Sequence, residues 1–183
     1  AEHTGIQELR ATTRDVPDYD VLMRQRLRIL AQHDLKLPDI QTVIGELRPL
    51  EGAAAFLNWL RTEFQVLILS DTFYEFAMPL MRQLGDPTLL CHRLETDSDG
   101  RVVNYRLRMS DQKRAAVKAL HQLNYKVAAA GDSYNDTGML SEADVGIFFC
   151  PPESVVREFP RFRVTRDYDE LRAALSDARC TLG

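Results

Sequence analysis

From Val66 to Phe149 the chain alternates short apolar runs with amphipathic stretches. Val66-Leu-Ile-Leu69 and Val127-Ala-Ala-Ala130 are continuous apolar runs of strand length, the pattern of parallel strands buried on both faces. Around them we read strands over 65–70, 89–92, 126–130 and 145–149. Residues 94–96 and 102–107 flank Asp97-Ser-Asp-Gly100, whose composition suits a hairpin turn. Helical spacing of apolar residues predicts helices over 51–62, 73–84, 112–123, 137–142 and 168–178. Strand and helix in repeated succession give an α/β fold class with a parallel sheet. Ahead of them, from Gly5 to Ile44, the residues Val21, Leu22, Leu27, Leu30, Ile40, Val43 and Ile44 fall near helical spacing, broken at Pro17 and Pro38. The organisation expected is an all-helical cap over 1–47 and an α/β core over 48–183.

Both apolar runs end on polar residues. The second leads into Gly131-Asp-Ser-Tyr-Asn-Asp136 and the first into Ser70-Asp-Thr72. Ligands of open α/β sheets bind beyond the carboxyl ends of the strands, so these residues are the candidates for chemistry. Gly131 is expected to permit a tight turn from which Asp132 projects. Mg²⁺ takes one or two carboxylates and completes its shell with waters and substrate phosphate, which suits Asp132 as a ligand. Capping of a following helix is the plainer use of such an aspartate. Asp136, one helical turn later, can orient a metal-bound water or Lys113. Ser70 offers a short hydroxyl at a strand end, where the next amides can hold phosphate oxygens; a simple strand terminus is its alternative. Lys113 opens a helix, an unfavourable place for a cation, and can neutralise charge on a transferring phosphoryl group. A solvated pair with Asp111, or use of the neighbouring Arg114 instead, competes with that assignment. Of the basic residues in Arg24-Gln-Arg-Leu-Arg28 only one or two can face inward, and a guanidinium there can grip a carboxylate; a solvated basic face is the alternative. His3, His33, His92 and His121 lack ligand spacing and receive no role.

Ser70, Lys113 and the segment Gly131 to Asp136 resemble motifs two, three and four of the haloacid dehalogenase superfamily. Arg48-Pro-Leu-Glu-Gly-Ala53 and Met23-Arg-Gln-Arg-Leu27 resemble its phosphoserine phosphatase family, most of all the bifunctional members that also transfer phosphoryl to homoserine. The resemblance extends from Ala1 to at least Tyr168. It implies a Rossmann-like parallel sheet core with a small helical cap, Mg²⁺ held by Asp132, and a phosphoryl group gripped by Ser70 and Lys113 with Asp136 in support. It further implies that Arg26 holds the α-carboxylate of O-phospho-L-serine and that Asn135 lies beside the ester. Asp71 departs from the Gly-Gly of many members and could reach a substrate ammonium or hydroxyl. The activity implied is hydrolysis of O-phospho-L-serine through an aspartyl-phosphate, within L-serine biosynthesis, with transfer to homoserine as a second outcome. The family's first motif, a strand ending in Asp-x-Asp or Asp-x-Glu, has no counterpart here. The nucleophile is therefore expected upstream of Ala1, on roughly 20 further residues that supply one strand and its connection. Without that first strand the chain as given is expected to be inactive, with the edges of the neighbouring strands unpaired. A truncated, non-catalytic phosphate-binding or interaction protein is the alternative function.

Composition narrows the partners. The 183 residues are 45% hydrophobic and 27% charged, enough for one globular domain with a small subdomain. A net charge of -4 and a pI near 5.6 argue against nucleic-acid binding. No run approaches the ~18 apolar residues of a membrane helix, and the start lacks a signal-peptide apolar region, so a cytoplasmic location is expected. Cys91, Cys150 and Cys180 lack metal or disulfide spacing and read as buried packing thiols. The expected partners are a small-molecule substrate and a second copy in a homodimer, with no nucleic acid and no membrane.

Overall fold

Asp18 starts the first helix by accepting the amides of Asp20 and Val21 at 2.9 and 3.1 Å, which satisfies two donors that the first turn leaves unpaired. This helix, α1 (Tyr19–Gln32), belongs to a computed structural model that describes Ile6, Gln7, Asp15, Val16 and residues 18–182. The helix expected between Gly5 and Pro17 otherwise lies outside the described residues, as does His3. Pro38 does not break a helix as expected. It stands in the first turn of α2 (Leu37–Glu46), where a missing N–H costs nothing, and Asp39 Oδ2 accepts the Lys36 amide at 2.9 Å.

The chain divides into two compact units. The first comprises Ala1–Pro49 and Val66–Arg108, the second Leu50–Gln65 and Met109–Gly183. In the first unit β1 (Ile68–Phe73) pairs in parallel with β2 (Leu89–Thr96), and β2 pairs antiparallel with β3 (Val102–Arg106). The short strand and the hairpin arm expected over 89–96 are one continuous strand. Its hairpin turn forms as predicted: Asp97 Oδ1 accepts the amides of Asp99 and Arg101 at 3.0 and 2.9 Å, and Gly100 takes φ +81°, a conformation that glycine adopts without strain. Met23 and Leu30 of α1 share a core with Phe73, Leu94 and Val102, and Ile40 of α2 packs against it. Helices α1 and α2 thus pack onto the hairpin. Helix α4 (Tyr74–Gln83) carries Pro79 in its interior, which removes the hydrogen bond to the Glu75 carbonyl four residues earlier. Gln41 of α2 supplies the missing donor, its Nε2 reaching the Glu75 carbonyl at 2.8 Å.

In the second unit β4 (Ala128–Gly131), β5 (Val145–Phe149) and β6 (Arg163–Thr165) form an all-parallel sheet in that order. Ile147 and Phe148, adjacent on β5 and so on opposite faces, are both buried, as a covered parallel sheet requires. On one face Ile147 meets Leu171, Ala174 and Leu175 of α8 (Tyr168–Leu182), joined by Phe56, Trp59 and Leu60 of α3 (Ala53–Glu63). Phe148 meets Phe162 with ring centroids 5.2 Å apart. Helices α5 (Gln112–Gln122) and α6 (Thr137–Glu142) match the periodicity closely. Helix α7 (Glu153–Glu158) and the three-residue β6 were not expected, because each is too short for a repeat of apolar positions to register. The α/β class holds, and its strands fall into two three-stranded sheets in which β1 and β4 are edge strands. The expected burial of all three cysteines is corrected: Cys91 is buried, its thiol pushed up to about 11 by burial, whereas Cys150 and Cys180 are exposed. No described helix is long and apolar enough to cross a membrane.

Candidate active site

The second unit gathers Lys113, Asp132, Asn135 and Asp136 at the carboxyl end of β4. The strand ends at Gly131, and Ser133 and Asp136 bracket a single 3-10 turn over Tyr134–Asp136. Asp136 is the centre of this arrangement and is only 6% exposed. Its Oδ2 accepts the amides of Asp132 and Ser133, both at 3.0 Å, and the Ser133 hydroxyl at 2.9 Å. Its Oδ1 accepts Lys113 Nζ at 2.9 Å. Burial pushes the Asp136 carboxyl up, but the Lys113 hydrogen bond and charge, with the Ser133 donors, outweigh it and hold the group below its ordinary value. Four donors on two oxygens tie Asp136 to Lys113 and to the loop that follows β4.

Asp132 differs from Asp136 in every respect that matters to a cation. Its side chain does not cap the turn, and although the residue is exposed, partial desolvation of its carboxyl followed by the Asp136 charge raises it above the ordinary value. A positive ion beside it would relieve that cost. Among the described residues no three His, Cys, Asp or Glu side chains are arranged to hold a metal ion, and a shell that included Asp132 would need its other donors from waters and substrate. The solvated pair of Lys113 with Asp111 does not form: Asp111 flanks α5 at φ +49° while Lys113 turns to Asp136. Arg114, the competitor, is engaged by Glu142 at 2.8 Å. Asn135 is exposed in the 3-10 turn.

Gly131 is needed for a different reason from the one expected. Its φ is not in the left-handed region, and a Cβ there would lie 2.5 to 2.8 Å from the side-chain atoms of Asp136. The glycine makes room for the carboxylate rather than making a turn. Gly131→Ala is therefore expected to displace Asp136, costing about 2–3 kcal/mol of stability. Loss of the Lys113 position should accompany it, and a chemical denaturation curve superimposing on the native one would contradict the steric account.

The first unit holds Arg26, Ser70 and Asp71. Ser70 is not at a strand end as expected but lies within β1. The ladder with β2 nevertheless breaks there: Leu69 pairs with Leu90 and the next pair is Phe73 with His92, so Ser70, Asp71 and Thr72 face a single residue of the partner strand. Such an excursion re-aims side chains and often accompanies a functional site. The Thr72 amide donates to Ser70 Oγ at 3.3 Å, and α4 begins only at Tyr74, so Ser70 is not at a helix start. On α1, Arg24 is exposed and bound to Asp20 at 2.6 Å, and Arg28 is exposed as well; Arg26 alone of the three is half-buried. Tyr19, one helical repeat before Arg26, reports on both charged candidates. Burial raises its hydroxyl, the Arg26 guanidinium opposes that rise, and the Asp71 carboxylate adds to it. Arg26 and Asp71 thus lie within electrostatic reach of one hydroxyl. Sequence reasoning singled out neither Tyr19, seven residues before Arg26, nor His92, which stands inside the apolar run Leu89-Leu-Cys-His92 and received no role.

A buried lysine–aspartate pair under an exposed aspartate at a parallel strand's end is an arrangement suited to phosphoryl chemistry. Residues 6–144 match the haloacid dehalogenase-like hydrolase family, and the chain belongs to it. More particularly, it is 66% identical over 172 residues to a phosphoserine phosphatase of Pseudomonas syringae pv. tomato, covering 94% of this chain and 73% of the relative. It is 65% identical over 172 residues to the phosphoserine phosphatase ThrH of Pseudomonas aeruginosa, covering 94% and 84%. Among solved structures, an apo phosphoserine phosphatase superposes with a TM-score of 0.70 at 21% identity, covering 90% of this chain and 83% of that one, a likeness of fold. The expected superfamily, α/β class and hydrolase character are met.

Proposed function

We propose that this chain carries the phosphate- and amino-acid-binding residues of a Mg²⁺-dependent O-phospho-L-serine phosphatase. The observation that carries the proposal is the buried Lys113–Asp136 pair at 2.9 Å beside Asp132, in a chain 66% identical to a phosphoserine phosphatase. In the second unit Lys113 binds phosphoryl oxygens, Asp136 holds Lys113 in place, and Asp132 would be a carboxylate ligand of Mg²⁺; in the first, Ser70 offers its hydroxyl as a phosphate donor. When bound, the cation neutralises charge developing on the phosphoryl oxygens. Asn135 lies beside the ester oxygen. Arg26 pairs with the substrate α-carboxylate and Asp71 with its ammonium.

The covalent step needs an aspartate whose oxygen attacks phosphorus as the bond to the serine oxygen breaks; water then cleaves the aspartyl-phosphate. Three Asp-x-Asp tripeptides occur in these 183 residues, and none ends an apolar strand. Asp18 and Asp167 each bond amides that open a helix, and Asp97 shapes the hairpin turn. The proposal therefore assigns the nucleophile to the family's first motif, outside these residues. Homoserine, as an alcohol, can replace water in the second step, and its ammonium and carboxylate suit Asp71 and Arg26 as those of serine do. A non-catalytic binding role is not favoured by membership of a hydrolase family.

The direct test is phosphate release from O-phospho-L-serine by the native protein with and without Mg²⁺, and with homoserine as competing acceptor. Arg26→Ala is expected to raise KM for phosphoserine by about 30- to 100-fold with a smaller effect on kcat, since it removes a charged hydrogen-bonded pair. An unchanged KM would overturn the assignment of Arg26.

A further inference from the structure

We propose that Arg93 and Arg108, gathered around the Tyr74 ring on the solvent-facing side of the β2–β3 hairpin, form a binding site for the phosphate or pyrophosphate group of a small anionic ligand. The phosphatase function proposed above uses none of these three residues, and the site would stand whether or not that function does.

Neighbouring residues of a strand point to opposite faces. On β2, Leu94 turns to the core that it shares with Met23 and Val102, so Arg93 and Glu95 lie on the other face. The register sets Arg106 directly opposite Arg93 and Asn104 opposite Glu95. Arg108, two residues beyond Arg106, reaches the same face: its Nε donates to the Cys91 carbonyl at 3.2 Å and its Nη2 to the Tyr74 hydroxyl at 3.3 Å. Three exposed arginines thus share one short stretch of sheet. Like charges directly opposite on adjacent strands are destabilising, a cost that a bound anion would offset.

Tyr74 organises two of the three. Its hydroxyl donates to the Leu89 carbonyl at 2.6 Å, which fixes the ring. The guanidinium carbons of Arg93 and Arg108 stand 5.2 and 5.9 Å from the ring centroid, both within cation–π range. The Nη1 amino group of Arg108 takes part in neither of its two hydrogen bonds and remains a donor. The carboxylates at hand are engaged: Glu95 holds Arg106 at 2.8 Å and Asn104 at 3.2 Å, and Glu75 accepts the Leu94 amide at 2.9 Å. The Cys91 thiol marks the neighbourhood: burial and then Glu75 raise it, while the Arg108 and Arg93 charges oppose the rise. Two guanidinium forks around one ring suit the oxygens of a phosphate, and Arg108 is oriented before the ligand arrives. Convergence on a single ring fits one phosphate or pyrophosphate group rather than an extended polymer.

Isothermal titration calorimetry of the native protein with sodium pyrophosphate, in metal-free buffer of low ionic strength, reads this site directly. Pyrophosphate can also enter the candidate active site, so Ser70→Ala is titrated beside Arg93→Gln to tell the two apart. Arg93 is exposed, and its replacement by glutamine leaves the hydrogen bonds of Arg108 and Tyr74 in place. Arg93→Gln is expected to weaken pyrophosphate binding about tenfold or more, whereas Ser70→Ala changes the same binding event less than about twofold. Arg93→Lys, which keeps the charge without the fork, should recover only part of the loss. The double variant Arg93→Gln/Arg108→Gln should abolish the event, and if it fails to fold the single variant still decides. Native affinity in Arg93→Gln, loss of all binding in Ser70→Ala, or no binding by the native protein would each overturn the site. Tighter binding of poly-L-glutamate than of pyrophosphate, lost in Arg93→Gln, would overturn the small-ligand assignment in favour of an acidic protein partner.

Discussion

An Asp132→Asn variant of the native protein is expected to lose phosphatase activity by roughly 10³-fold while unfolding, without added metal, at no lower a temperature than the native protein. The two effects have one cause. Partial desolvation and the neighbouring Asp136 charge raise the Asp132 carboxyl in the folded state. A carboxyl raised in this way favours folding only while protonated, and the benefit is lost as pH rises through its folded value. At neutral pH the ionised group is a liability that a cation would offset and asparagine removes. The Asp132 amide that donates to Asp136 at 3.0 Å is unchanged by the substitution. Phosphate release over a Mg²⁺ titration, with thermal unfolding of the same samples, gives both readouts. Retained activity would remove Asp132 from the proposed metal site. A marked fall in unfolding temperature would instead assign it a structural role.

Lys113→Met should be costly to both stability and activity. The side chains of Lys113 and Asp136 are 12% and 8% exposed, and breaking a buried pair by removing one partner costs about 3–5 kcal/mol. Asp136 keeps three donors on its other oxygen, so the lower end, about 3 kcal/mol, is expected, or roughly 10 °C in unfolding temperature. Activity should fall by about 10²- to 10³-fold if Lys113 also binds the phosphoryl oxygens. The acid side carries the signature. The Asp136 carboxyl is held below its ordinary value of 3.8, so its stabilisation is fully present above that value and is lost as pH falls through the lower folded one. Lys113 is a main cause of that depression, so the variant's stability should fall less steeply below about pH 4 than the native protein's. Denaturant unfolding from pH 2 to 7 would measure it, and parallel acid limbs would mean that the pair contributes little.

Much of this site was legible because its residues stand beside strong local signals. Apolar runs of strand length located β1 and β4, and the polar residues that follow the second emerge at the end of β4 as expected. The helix carrying Lys113 was placed by apolar spacing alone. Local signals failed where a distant partner decides. Ser70 was expected to end a strand, but the irregular pairing with β2 extends β1 to Phe73 around a three-residue excursion. Gly131 was expected to serve a turn, whereas the side chain four residues later claims its space. A single histidine such as His92 has no spacing to read, and its contact with the Arg108 amide appears only in the fold.

The sequence by itself determined the α/β class, most helices and strands, the hairpin turn, and which short segments bear the candidate side chains, since periodicity, caps and turn residues act within a few positions. Only the tertiary structure decided that Lys113 pairs with Asp136 rather than Asp111, that Arg114 belongs to Glu142, that Gln41 satisfies the carbonyl left by Pro79, and that His92 accepts the Arg108 amide. Each of these joins residues far apart in the chain, where burial removes competing water and the packing of whole elements, not local preference, selects the partner.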